Sequence, residues 1–377
     1  MNEGLGELGI VLGSFSPLHR GHLDLIFKSK RENKKTIVAV CGFKGDKGEA
    51  VGIPLRVRFL EIKNTFEDDP LIKVIEMNDN EIGIAGYNDH WKQWLKALKE
   101  KLDENDDLDL NEDIDVIWSK AVFYTAEPAY EYELKNLGHK VKLLERGKVS
   151  NQMCATKIRN NPIKYWDFIA PNFKQYFQKK YLVIGTASEG KSNLIKDLSI
   201  YFDGDCTFEY GHEAMEGRKE SKETPTDQHL KYKDFEKFLT AQYDRNSKGG
   251  SKKIKICDSD ALTTLMYAKN YAEDDRYDLT LKDYEKLCEV ARFLKYEKIF
   301  VVRPHNPFVQ DGTRDELKSP MEEREKQFQD LMYVLGEHYN VNDYVTISGS
   351  YDELFEYVKQ EIAWDLAKEN EAQEMEV

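Results

Sequence analysis

Between an apolar run at Tyr181–Ile184 and a helical period through Leu194, Leu198 and Phe202 stands Gly185-Thr186-Ala187-Ser188-Glu189-Gly190-Lys191-Ser192, the pattern G-x-x-x-x-G-K-[ST]. No other feature constrains the fold as tightly. A loop that wraps a polyphosphate must converge its backbone N–H groups on one point, and it does so where a parallel strand gives way to the N-terminus of a helix. Side chains at the tight positions would block that approach, and Gly185 and Gly190 remove them. Lys191 sets a point charge on the β and γ phosphates of such a ligand, and the Ser192 hydroxyl is placed to ligate Mg2+. Thr186, Ala187, Ser188 and Glu189 complete the phosphate-binding loop, which for a kinase would be its ATP-binding loop. At average composition chance gives the pattern in about one chain in a hundred.

Magnesium also needs a carboxylate at the end of a neighbouring strand, and Ile254-Lys255-Ile256-Cys257-Asp258-Ser259-Asp260 supplies two. Asp258 is the expected metal-side residue. Ser259 and Asp260 also suit helix N-caps for a segment starting at Ala261, and both roles can hold together. Glu209, at the end of a strand expected over Cys206–Tyr210, is a candidate general base or sugar-hydroxyl ligand, or else a plain surface glutamate. Arg314, in Asp311-Gly312-Thr313-Arg314, is the expected lid cation over the transferring phosphate, with Arg324 next in line.

The chain has 377 residues, enough for two or three domains, so a small stapled scaffold is excluded. Apolar residues make up 40%, charged residues 33%, and the formal net charge is -14, a balance unlike disordered or membrane chains. There is no run of 18 apolar residues, and the acidic, Gly-rich start is no secretory signal, so stable membrane insertion is not expected and a cytoplasmic location is. The five scattered cysteines form no CxxC pair and read as free thiols. An acidic surface repels nucleic acid, so phosphate-bearing partners must be small molecules held by local donors.

Strand-like runs at Leu8–Leu12, Thr36–Cys41, Val116–Trp118 and Lys140–Leu144 alternate with helical periods through Leu23, Ile26 and Phe27 and through Trp91, Trp94, Leu95, Leu98 and Leu102. The pattern restarts at Tyr181, with further strands at Ile254–Cys257, Lys298–Val302 and Tyr344–Ile347. Both halves are therefore α/β with mainly parallel sheets. The expected domains are residues 1–178 and 179–365, followed by an acidic tail at 366–377. The acidic stretch Asp103–Asp115 reads as a solvated loop and Lys248–Lys253 as a flexible surface linker.

A second cluster, Gly13-Ser14-Phe15-Ser16-Pro17-Leu18-His19-Arg20-Gly21-His22, joins the first strand to the first helix. Two imidazoles three residues apart at a helix N-terminus face a region favourable to anions, and Gly21 lets phosphate approach closely. Such imidazoles can donate to charge growing in a pentacoordinate transition state, which suits nucleotidyl transfer without a protein nucleophile.

With this ten-residue pattern, GxFxPxHxGH, the chain resembles the HxGH superfamily of nucleotidyltransferases, whose late motif I-S-x-T-x-I-R appears as Met153-Cys154-Ala155-Thr156-Lys157-Ile158-Arg159. Joined to a phosphate-loop kinase, it resembles the bifunctional NadR type over residues 7 to 362. The resemblance extends to Leu55-Arg56-Val57-Arg58, Tyr87-Asn88-Asp89-His90-Trp91, Tyr124-Thr125-Ala126-Glu127-Pro128 and Glu209-Tyr210-Gly211. It implies a Rossmann-like adenylyltransferase domain followed by a P-loop kinase domain.

The implied activities are phosphorylation of ribosylnicotinamide by ATP to nicotinamide mononucleotide (NMN), then adenylylation of NMN by a second ATP to NAD and pyrophosphate, with Mg2+ accompanying ATP. Gly13, Ser14, Phe15, His19, His22, Thr156, Lys157 and Arg159 would hold ATP in the first domain, with His19, His22 and Arg159 catalytic. Arg56, Trp91, Trp118 and Glu127 would meet NMN, the tryptophans by stacking on its flat cationic ring unless they serve as core. In the second domain Lys191, Asp258 and Glu209 would be catalytic, and Glu209, Tyr210 and Asp260 would contact ribosylnicotinamide. Cys154 stands where serine is usual, and His212 where arginine usually follows Glu-Tyr-Gly. Only seven residues precede the first strand, so a DNA-binding repressor role is not expected. The rival readings are another phosphate acceptor, or an NAD/ATP sensor without turnover. Homo-oligomerisation is left open.

Overall fold

The computed structural model describes residues 5–84, 90–104, 113–144, 153–220, 230–275, 277–309 and 320–371. The chain divides into two compact units, Met1–Phe177 and Gln178–Val377.

The first unit opens with β1 (Gly6–Gly13), α1 (Arg20–Glu32), β2 (Asn33–Gly42), α2 (Leu55–Thr65), β3 (Ile72–Asn78) and α3 (Asp79–Ile82). It continues with α4 (Trp91–Asp103), α5 (Ile114–Lys120), β4 (Val122–Thr125), α6 (Pro128–Asn136), β5 (Lys140–Leu143), α7 (Ala155–Asn160) and α8 (Pro171–Lys174). Its sheet runs β3-β2-β1-β4-β5 with every pair parallel. β1 lies in the middle with its core residues Leu8, Ile10, Val11 and Leu12 all buried, as a central parallel strand covered on both faces requires. The strand order reverses at β1, between β2 and β4, and the crevice outside their carboxyl ends is where such sheets bind ligands.

The strand expected over Val116–Trp118 is instead part of α5. Ile114, Ile117, Trp118 and Ala121 fall at i, i+3, i+4 and i+7, a helical stripe that packs into the core, and Asp113 caps it by accepting from Asp115 N at 2.7 Å. The strand that pairs with β1 on the side away from β2 is β4, which begins four residues after Trp118.

The second unit contains β6 (Lys179–Gly185), α9 (Lys191–Tyr201), β7 (Asp205–Thr207), α10 (Tyr210–Glu220), α11 (Tyr232–Ser247) and β8 (Ile254–Asp258). There follow α12 (Ala261–Ala272), α13 (Leu281–Val290), β9 (Lys298–Val302), α14 (Met321–His338), β10 (Tyr344–Ile347) and α15 (Tyr351–Glu371). This sheet runs β10-β9-β6-β8-β7, again wholly parallel. The period of two along β6 splits its core between faces: Leu182 and Ile184 pack with α11, α12 and α14, while Tyr181 and Val183 pack with α9 and α15. The edge strand β7 ends at Thr207, short of the expected Tyr210, which instead opens α10. The segment 248–253 is also no loose linker. Gly250 N donates to Gln178 Oε1 at 3.0 Å, and Lys255 Nζ donates to the Lys248 carbonyl at 2.6 Å.

Among the described residues no helix is long and apolar enough to cross a membrane.

The loop between β2 and α2 is fixed by a buried ion pair. Arg58 bonds both carboxylate oxygens of Asp46 and the carbonyls of Ile53 and Cys41. The fit leaves no slack, since a Cβ on Gly48 would come within 1.8 Å of Arg58 Nη1. Burial works against the charged carboxyl of Asp46, but hydrogen bonds from Arg58 and the backbone of Glu49 and Gly48 outweigh it and hold it below the ordinary carboxylate range. Its contribution to stability is therefore complete at neutral pH and lost as pH falls below the unfolded value of about 3.9. Arg58→Met should cost about 3 kcal/mol by stranding that carboxylate. The check is the urea midpoint of the variant, and a loss under about 1 kcal/mol would show that the pair is dispensable.

Candidate functional sites

In the first unit the chain leaves β1 through Gly13 and reaches α1 with Phe15 at a positive φ of 46°. His19 is the N-cap of α1, its Nδ1 accepting from Gly21 N at 3.1 Å. An imidazole whose Nδ1 accepts a backbone N–H carries its proton on Nε2 when neutral, so Nε2 is the donor nitrogen. His22, one turn on, stacks against His19 with ring centroids 3.7 Å apart, and Phe15 meets it edge-on at 4.9 Å. The two imidazoles form one donor surface at the positive end of α1.

Arg159, on the short helix α7, crosses to this surface. Its Nη1 donates to the Ser16 carbonyl at 2.6 Å and its Nη2 to Thr156 Oγ1 at 3.0 Å. A cleft of about 530 Å3 opens here, its lining including Gly13, Ser14, His19, His22, Thr156 and Arg159. Glu127, from the carboxyl end of β4, reaches the same cleft, while Phe15 and Lys157 are not among its lining residues. Cys154 lines it too and caps α7 with no side-chain hydrogen bond.

The residues expected around a mononucleotide are placed unequally. Trp91 lies behind the cleft wall, edge-on to Tyr130, which lines it, with centroids 5.0 Å apart. Trp118 is not brought to the cleft. It packs against Phe123 and His139 at the amino ends of β4 and β5, whereas the cleft lies at the carboxyl ends. Arg56 is exposed, paired with Glu76 at 2.8 Å, and also stays away from the lining. Two lining residues escape any reading of spacing: Tyr130 on α6, and Lys47, carried in by the loop that the Arg58–Asp46 pair fixes.

In the second unit the glycine loop joins β6 to α9 as its pattern requires. Gly185 has φ of 149° and lies so close to β9 that a Cβ would come within 2.3 Å of the Val302 carbonyl, while Gly190 has φ of 74°. Lys191 Nζ donates to the Thr186 carbonyl at 2.8 Å, folded back over its own loop. Ser192 Oγ donates to Asp258 Oδ2 at 2.6 Å, which brings the two expected metal-side residues together. Burial pushes the Asp258 carboxyl up from its ordinary value, against the pull of Lys191, the Ser192 hydrogen bond and His212.

Asp260 is the N-cap of α12, accepting from Leu262 N at 2.9 Å, and its burial raises the carboxyl to about 7. Glu209 lies in the turn between β7 and α10, beyond rather than on the strand. The Tyr210 ring packs on Phe238 with Arg245 4.7 Å above its centroid. Arg314 lies outside the described residues. Arg324 is no mobile cation: it is buried and pairs with Glu189 of the phosphate loop. Nothing in local sequence spacing joins residues 135 apart.

A family model described as an AAA domain matches residues 180–353. The chain is 24% identical to the trifunctional NAD biosynthesis/regulator protein NadR of Escherichia coli (strain K12) over 92% of its own length and 80% of that protein's. It is 25% identical to the protein of the same name from Salmonella typhimurium over 93% and 81%. A crystal structure of NadR protein in complex with NR superposes with a TM-score of 0.77 at 28% identity, covering 97% of this chain and 96% of that one. A second, in complex with NAD and AMP-PNP, gives 0.76 at 27% over the same shares. In sequence and in fold the chain is NadR-like over nearly its whole length.

Proposed function

We propose that this NadR-like chain makes NAD in two ATP-dependent steps: phosphorylation of ribosylnicotinamide to NMN on the second unit, and adenylylation of NMN on the first. One observation carries the reading. A single chain holds two strand-to-helix junctions with donors suited to phosphate but of different chemistry, an imidazole pair with an arginine at the start of α1 and a glycine loop with a lysine at the start of α9. The whole-length likeness to NadR structures holding NR, NAD and AMP-PNP supports the same assignment.

On the second unit the 5'-hydroxyl of ribosylnicotinamide attacks the γ phosphorus of ATP. A P–O bond forms to the ribose oxygen, the bond to the β,γ-bridging oxygen breaks, and ADP leaves. The loop N–H groups and Lys191 hold the phosphates, and Glu209 receives the hydroxyl proton. Ser192 and Asp258 fit a magnesium ion. Both offer hard oxygen donors, and Asp258 Oδ1 is buried with no hydrogen-bond partner among the described residues. Held by Ser192 and Asp258, such an ion would supply neutralising charge to the phosphates.

On the first unit a phosphate oxygen of NMN attacks the α phosphorus of ATP and pyrophosphate leaves. His19, His22 and Arg159 donate to the triphosphate oxygens as charge moves onto the leaving group, so the acceleration comes from positioning and preorganised charge. The test is direct: the chain is given ribosylnicotinamide, ATP and Mg2+, and NMN and NAD are followed by chromatography. Formation of both supports the proposal. ATP binding without turnover would instead make the chain a sensor, and turnover of a different phosphate acceptor would move the assignment.

A further inference from the structure

A carboxylate inside a phosphate-binding loop is an anomaly, since at a separation of a few ångströms it repels the ligand the loop exists to hold. Glu189 occupies that position, yet its side chain is buried. Its Oε1 pairs with Arg324 Nη2 and accepts from His305 N at 3.1 Å. Its Oε2 accepts from Asn306 N at 3.3 Å and Asn306 Nδ2 at 3.1 Å. Arg324 holds three points at once, donating to the Asn306 carbonyl at 2.7 Å and to the Ala187 carbonyl at 2.9 Å as well as to the carboxylate. The same segment meets the loop again where Val309 N donates to Ser188 Oγ at 3.0 Å.

We propose that Glu189 and Arg324 are positioning residues of the kinase half, a neutral buried latch that ties the crest of the phosphate loop to the segment leaving β9 and to α14. The latch acts in two ways. Arg324 cancels the charge of Glu189, so the loop presents only its N–H groups and Lys191 to phosphate. It also fixes the Ala187 carbonyl, and across a trans peptide the Ser188 N–H points the opposite way, away from Arg324. Lysine cannot replace it, because one ammonium does not reproduce the planar fork that spans two carbonyls and a carboxylate.

The inference rests on ATP binding at this loop but not on the identity of the acceptor. It is tested by calorimetric binding of AMP-PNP with Mg2+ to the full chain in the presence of excess NAD, the product that occupies the first unit's cleft, beside kinase kinetics. Arg324→Met leaves the carboxylate uncompensated and should weaken AMP-PNP by about tenfold or more, raising KM for ATP more than it lowers kcat. Glu189→Gln combined with Arg324→Met removes both charges and should recover affinity to within about threefold of wild type. A merely structural role would lower the active fraction, and so kcat, without raising KM for ATP.

Should Arg324→Met not fold, Arg324→Lys carries the test, with an expected loss of about fivefold. Single variants that bind AMP-PNP as wild type does, or a double variant no better than Arg324→Met, would overturn the latch. A wild-type chain that binds AMP-PNP but leaves ribosylnicotinamide unphosphorylated would sink the acceptor assignment and leave the latch standing.

Discussion

Lys191→Ala is expected to lower phosphorylation of ribosylnicotinamide by about 10²–10³-fold while NMN supplied directly is still converted to NAD at the wild-type rate. The size follows from what the side chain does. It is the positive side chain within the glycine loop itself, and the charge of the phosphates it faces spreads over three oxygens in the transition state. Its loss also reaches Asp258. That carboxyl already lies above its ordinary value because it is buried, and Lys191 is the first of the influences opposing the rise. Without the lysine the pKa climbs further, so more of the carboxyl is protonated at a given pH, and residual activity should need a higher pH to develop. A pH profile of the variant checks this, and an acid limb moved downward would contradict the electrostatic account. Loss of both reactions from this one change would argue against two independent sites.

How much of this was legible in the sequence depended on whether the deciding contacts were local. Lys298–Val302 and Tyr344–Ile347 are strands at the residues expected, because an apolar run between turn residues in an α/β chain has few other ways to be buried. The two strand-to-helix junctions were equally legible, since a loop that wraps phosphate needs its residues consecutive. The error at Val116–Trp118 came from reading three residues as a strand when the helical stripe extends from Ile114 to Ala121.

The cleft residues Lys47 and Tyr130 and the latch of Arg324 on Glu189 were not legible. Each depends on where a distant loop or helix comes to rest. Trp118 shows the same limit in reverse: an aromatic residue expected to stack on the mononucleotide sits at the opposite end of the strands from the cleft.

For the first unit the decisive substitution is His19, which does two things that must be separated. As N-cap of α1 its Nδ1 accepts from Gly21 N, and its ring, stacked on His22, lines the cleft. His19→Ala removes both and should cost about 1 kcal/mol of stability through the cap alone. Asparagine is a good N-cap whose carbonyl oxygen can accept from the same backbone N–H, but its shorter side chain does not reach where Nε2–H stands. His19→Asn should therefore melt close to the wild-type temperature and still lose about 10²–10³-fold in NAD formation from NMN and ATP. Ribosylnicotinamide phosphorylation should be untouched in both variants, so NMN accumulates in the coupled reaction. If His19→Asn kept the wild-type rate of NAD formation, the imidazole would be a cap and nothing more, and the charge on the leaving pyrophosphate would have to be met by His22 and Arg159 alone.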